Sequence, residues 1–151
     1  MQWQTEWTQS SHYKKLAAID KATGPSKYQN LTYGLMKIHT TILFQLRTGY
    51  IALNAYLYRL KKANSPQCER CFHHETAHHY ILHCSRYDRQ RNLLRRTVGS
   101  HNMTLEKLMT TRKWLPALIE YVNNTKRLHS SFQDIPPLTF ADDDEDDSSH
   151  Y

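Results

Sequence analysis

The segment from Cys68 to Cys84, CERCFHHETAHHYILHC, holds all three cysteines of the chain and five of its ten histidines. Cys68 and Cys71 form a C-x2-C pair, and His79 and Cys84 close the segment with four residues between them. A C-x2-C pair makes a tight knuckle that turns two thiolates toward one point. A helix or loop further on can then supply two more donors. Such a set suits tetrahedral Zn2+, with Zn–S near ~2.3 Å and Zn–N near ~2.0 Å. The pattern predicts one structural zinc site of CCHC type: Cys68, Cys71, His79 and Cys84. A rival set replaces Cys84 with His83, because a helix over 75–83 would put His79 and His83 one turn apart on the same face. His73, His74 and His78 are expected as solvated side chains. Disulfide pairing would leave one cysteine over, and nothing else in the sequence points to an oxidising compartment. Without a metal, three buried cysteines would simply pack as small hydrophobes.

The elements that must position these donors read as helices. Only four glycines occur, and long runs lack both Gly and Pro. Trp3 and Trp7 would share a helical face, and residues 13–22 suit a short helix with Leu16 and Ile19 inward, broken at Gly24-Pro25-Ser26. Leu31, Leu35, Ile38, Ile42 and Leu46 recur every three or four residues, predicting one amphipathic helix over 31–48 that stops at Gly49. Leu53, Leu57 and Leu60 mark a shorter helix, with Lys61 and Lys62 at its C-terminal end. A helix over 75–83 follows the knuckle, and Ser85 is expected to cap a strongly basic one over 86–98, stopped by Gly99. Thr104 should cap a turn through Met109. A last helix, about 113–127, should pack Leu115, Leu118, Ile119 and Val122 and tolerate Pro116 in its first turn.

The fold class expected is therefore mainly α, a small helical array organised around one zinc knuckle. Residues 1–134 would form the domain, with its zinc segment at 66–84, and 135–151 a disordered acidic tail. Phe, Ile and Val are sparse and Tyr abundant, so the core should be thin and a metal important to stability. No apolar signal sequence opens the chain and no window approaches ~20 apolar residues. The expectation is a soluble intracellular protein, in nucleus or cytoplasm, with no membrane contact.

Charge is unevenly spread. The net +6 combines residues 1–140, with twenty basic and eight acidic side chains (+12), and the six acids of 142–147 (−6). A +12 body suits a polyanion, because phosphate contacts release counterions. The acidic run is expected to compete for the same surface. Arg86, Arg89, Arg91, Arg95 and Arg96 lie on one expected helix and, with Arg47, Lys61 and Lys62, are the candidate nucleic-acid contacts. Pairing with Glu69, Glu75 or Asp88 would remove one or two of them. Catalytic patterns are lacking: there is no Gly-rich phosphate loop, nucleophile elbow or deaminase signature. A four-ligand site also leaves no open position for hydrolysis, so no enzyme and no small-molecule substrate are expected.

Taken together, these residues resemble the C-terminal zinc-binding segment of reverse transcriptase polyproteins from non-LTR (LINE-type) retrotransposons, especially fungal ones. The matching pieces are Trp3 and Trp7, Pro25-Ser26-Lys27, Gln45 to Gly49, Leu53 to Leu57 and Ala63 to Pro66. They continue through Cys68, Cys71, Glu75-Thr76, His79, Cys84, Tyr87 and Arg91 to Tyr121-Val122-Asn123, in order over about 3–134. The resemblance implies Cys68, Cys71, His79 and Cys84 as the ligands. It also implies a role in gripping RNA or DNA, beside a polymerase or RNase H domain that does the chemistry. Glu69 and Ser85 stand where many relatives have proline, which should alter turns without removing ligands. The polymerase, endonuclease and RNase H regions are not among these 151 residues, so reverse transcriptase activity is not implied. The alternatives are a structural or protein-interaction module, or an inactive remnant of such a polyprotein.

Overall fold

The computed structural model describes residues 25–140 continuously and, before them, only Glu6, Gln9, Ser10, Ser11, Lys14 and Ala17. The Trp3–Trp7 pair, most of the expected helix over 13–22 and the acidic run 142–147 lie outside the described residues. The described part is mainly helical. Its α-helices are α1 (Pro25–Thr32), α2 (Lys37–Thr48), α3 (Asn54–Arg59), α4 (Asp88–Val98), α5 (Leu105–Thr110), α6 (Leu115–Thr125) and α7 (His129–Phe132). Short 3-10 turns at Ser85–Tyr87, Ser100–Asn102 and Arg112–Trp114 lead into or join them, and a π-helical turn spans His79–His83. Among the described residues there is no β-strand, only an isolated antiparallel bridge between Gln67 and His74.

The single helix expected over 31–48 is two. Gly34 adopts left-handed backbone (φ 73°), a conformation open to glycine, and separates α1 from α2. Leu31 and Ile42 are nonetheless both buried and Leu35 and Ile38 pack against the core, so the apolar period runs on across the break. Gly49 (φ 78°) ends α2 as expected, its N–H donating to the Gln45 carbonyl. Thr104 caps α5, accepting from the Lys107 N–H at 3.2 Å, and Pro116 sits in the first turn of α6. Ser85 caps no helix; a 3-10 turn precedes α4, and Asp88 supplies the acidic group in its first turn.

The core lies where α4 and α6 cross, their contact being the broadest between helices. Leu94 and Val98 from α4 meet Leu118, Tyr121 and Val122 of α6 in one buried cluster, to which α2 adds Ile42, Leu43 and Leu46. Tyrosines fill it in place of the scarce branched residues. Tyr80 and Tyr121 are fully buried, with ring centroids 5.5 Å apart, and Tyr87 meets Tyr80 edge-on at 5.4 Å. Each buried hydroxyl has a partner: Tyr121 donates to the Tyr80 carbonyl, and Tyr80 pairs with Thr125 Oγ1. Residues 135–140, placed with the tail on sequence, carry no regular structure, yet Ile135 and Leu138 are buried. The ring of His39 Nε2 also meets the Pro136 carbonyl at 2.7 Å, so this stretch packs on the helical body.

Candidate metal centre

After Pro66 the chain folds back on itself. Cys68 N–H donates to the His73 carbonyl (2.7 Å), Phe72 N–H to the Cys68 carbonyl (2.9 Å) and Glu75 N–H to the Pro66 carbonyl (2.9 Å). These bonds build the knuckle and leave Cys68 and Cys71 on its inner side. Glu75, which is 1% exposed, anchors the far end. Its carboxylate accepts from the Asn54 N–H at the start of α3 (2.8 Å) and from Arg127 Nε (3.0 Å) and Nη2. The sequence offers Glu75 as a possible partner for the arginines of 86–96; its partner is instead Arg127, beyond α6.

The helix expected over 75–83 starts only at Ala77, and its last turn is widened. Thr76 Oγ1 accepts from the His79 N–H (3.2 Å), and the Cys84 N–H donates to the His79 carbonyl at 2.8 Å. That five-residue bond is a π turn. At 3.6 residues per turn a residue five positions on would lie about 140° around the axis, on the wrong side. The π turn returns Cys84 to the side of His79, which is what an H-x4-C pair needs. His83 is exposed, its ring 4.7 Å from that of His78, and it is not among the clustered donors.

The donor atoms of Cys68, Cys71, His79 and Cys84 all lie within 4.8 Å of one another. Cys84 Sγ stands 3.7 Å from Cys68 Sγ and 3.9 Å from Cys71 Sγ. A disulfide needs about 2.05 Å. A tetrahedron of thiolates around a metal ~2.3 Å away has an edge of about 3.8 Å. His79 Nε2 is buried with no hydrogen-bond partner, an atom left for a ligand to satisfy. The four residues therefore fit a metal ion, and Cys84 rather than His83 completes the set.

Burial pushes the Cys84 thiol up to about 12. Cys71, the least buried of the three, is held below the usual thiol value, chiefly by the Ser85 hydroxyl 3.4 Å away. Burial lowers His79, against the pull of the Glu75 carboxylate, and so favours the neutral imidazole that a metal requires. A cation arriving here displaces the Cys84 proton.

The eight basic residues singled out from sequence divide by burial. Arg91 is 3% exposed. Its guanidinium donates to the carbonyls of Ile81 (2.9 Å) and Cys84 (2.7 Å) and to Asp88 Oδ1 (2.7 Å). Arg47 is buried too, donating to the Met109 carbonyl (3.0 Å) and lying over the Tyr28 ring. Read from sequence as phosphate contacts, these two are spent inside the fold. Helical spacing explains Arg91: it shares the inner face of α4 with Leu94 and Val98, three and seven residues on. Arg89 and Arg96 lie on the opposite face, exposed, with no side-chain hydrogen bond or ion pair among the described residues; the Lys61 and Lys62 side chains after α3 are exposed and likewise without one. Arg95 is half-buried and donates to Asn92 Oδ1; Arg86 stacks on Tyr87 and stands 4.0 Å from Glu69.

Fold and site together define a helical domain closed on a Cys3His cluster able to hold a metal ion. No protein-family model matches the chain, and none of the curated proteins or solved structures matches it either. No helix among the described residues is long and apolar enough to cross a membrane.

Proposed function

We propose that the chain is a nucleic-acid-binding zinc module, corresponding to the C-terminal segment of a LINE-type reverse transcriptase polyprotein and doing no chemistry itself. Three thiolates and one imidazole within 4.8 Å of one another favour zinc over the harder cations, which prefer oxygen donors. Bound there, the ion supplies folding energy: four protein donors fill its shell, leaving no position for an activated water.

One observation carries the nucleic-acid reading. The last donor, Cys84, leads through a single 3-10 turn into α4, whose outer face presents Arg89 and Arg96 exposed and without protein partners among the described residues. Seven residues apart, they stand about 10 Å from each other along the helix. Lys61 and Lys62 are exposed in the same unpaired way, and the body of the chain is strongly positive. RNA or single-stranded DNA is the expected partner.

The test is native mass spectrometry of the chain with and without chelator, followed by binding to an oligonucleotide over a salt series. One zinc per chain and a steep negative slope of log affinity against log salt are expected. Substituting Arg89→Ala and Arg96→Ala together should reduce that slope by roughly 1.4 for a single strand, two contacts at about 0.7 each. A slope near zero in the unsubstituted chain refutes the reading and favours a protein-docking role.

A further inference from the structure

The knuckle contains a residue that the fold alone does not explain. Phe72 follows Cys71 at the point where the chain turns back, and its backbone is left-handed, with φ 60°. The turn itself demands this: Phe72 N–H reaches the Cys68 carbonyl and the Cys68 N–H reaches the His73 carbonyl. Left-handed backbone suits glycine or asparagine, and for a bulky side chain it is a strained outlier. Burial of the ring could offset that strain, but Phe72 is 71% exposed. Backbone and core both disfavour phenylalanine here, and such outliers gather where a ligand is gripped.

The surroundings indicate which ligand. His73 and His74 follow directly, both exposed, the His73 ring lying 6.1 Å from that of His79. Exposed Arg70 sits two residues before Phe72, without a hydrogen bond or ion pair among the described residues. Glu69, the one acid of the turn, is 4.0 Å from Arg86. The exposed neighbours from 69 to 74 are charged or imidazole-bearing and Glu69 is the one acid among them, so the tip complements an anion. An exposed ring with an unpaired cation two residues away in the chain matches an unpaired base and its phosphate. In a duplex the base faces are already stacked on one another.

We infer that the knuckle tip is a base-stacking site for single-stranded nucleic acid, with the Phe72 ring as the stacking face and Arg70 as the phosphate contact. This rests on the nucleic-acid reading above and narrows it to unpaired strands.

The experiment compares the zinc-loaded full chain with Phe72→Gly and Phe72→Trp, by fluorescence anisotropy on a labelled unstructured oligonucleotide and on a duplex of equal length. Phe72→Gly should weaken single-strand binding by roughly tenfold and leave duplex binding unchanged. It should at the same time raise the urea midpoint, since glycine accepts φ 60° without strain. Phe72→Trp should keep single-strand affinity within about twofold of the parent, because its ring also stacks. Equal single-strand affinity in Phe72→Gly and the parent overturns this inference alone. A parent that binds neither oligonucleotide overturns the general reading, and this one with it.

Discussion

Replacing Arg91 with alanine should damage the metal centre rather than the nucleic-acid surface. Its guanidinium satisfies the carbonyls of Ile81 and Cys84 at 2.9 and 2.7 Å, and lies 3.5 Å from that of Tyr80. The Tyr80 and Ile81 carbonyls belong to the π turn, and that of Tyr80 also accepts from the Tyr121 hydroxyl; the Cys84 carbonyl follows the turn and also accepts from the Tyr87 N–H at 3.2 Å. A buried hydrogen bond with a charged donor contributes ~1.5–3 kcal/mol, so losing two costs roughly 3–6 kcal/mol. Removing a buried cation recovers some desolvation energy, and the loss should settle at about 3 kcal/mol. Metal holds the folded form and not the unfolded one, so the same figure lowers apparent zinc affinity on the order of 100-fold. Urea denaturation with zinc present would measure the first quantity, and competition against a chromophoric chelator the second. Arg89→Ala and Arg96→Ala serve as controls and should leave stability within about 0.5 kcal/mol. If Arg91→Ala retains the parental urea midpoint and zinc affinity while binding nucleic acid less well, the buried role argued here is wrong.

Two further outcomes follow from the same geometry. Cys84→Ala should lose both the bound zinc and helicity while His83→Ala keeps both, as metal analysis and circular dichroism will report; equal zinc content in the two variants removes Cys84 from the ligand set. Acidification should unload and unfold the chain. His79 is lowered in the fold, so below about 6.5, its unfolded value, the unfolded state binds the extra proton. Stability from this group is complete above that pH and is lost as pH falls below it toward the folded value, with competition for the thiolates adding to the loss. A zinc indicator and circular dichroism followed together from pH 7.5 to 5 should change in step; full zinc retention at pH 5 contradicts this.

Much of the site could be read from the residues alone, because C-x2-C and H-x4-C are covalent spacings and a tetrahedral ion tolerates few others. The ligand quartet, the Gly49 and Gly99 stops, the Thr104 cap and the tolerated Pro116 all depend on local chemistry, which a sequence carries in full. The break at Gly34 interrupts an apolar period that runs on from Leu31 to Leu46; period reports which side faces the core, not whether the backbone is continuous. The burial of Arg47 and Arg91 was hidden for another reason. An arginine on a basic helix looks alike on either face until the crossing with α6 decides which face is inner. The Glu75–Arg127 pair joins residues 52 positions apart and leaves no trace in any local pattern.

The π turn could have been deduced, although no residue preference announces it. If His79 and Cys84 both bind one ion and the chain between them is helical, an α turn places them on different sides and only a wider one brings them together. Widening frees carbonyls at the turn's end, and free buried carbonyls must find donors. Arg91, one helical turn into α4, supplies one to Ile81 through Nε, and its Nη2 reaches on to the Cys84 carbonyl, which also accepts from the Tyr87 N–H. The requirement that Cys84 reach the metal thus creates the demand that an arginine from the next helix meets. The same bonds tie α4 to the π turn and to Cys84, so the direction in which Arg89 and Arg96 face is linked to the coordination geometry. A change in the spacing between His79 and Cys84 would for that reason disturb the arginine face as well as the ion.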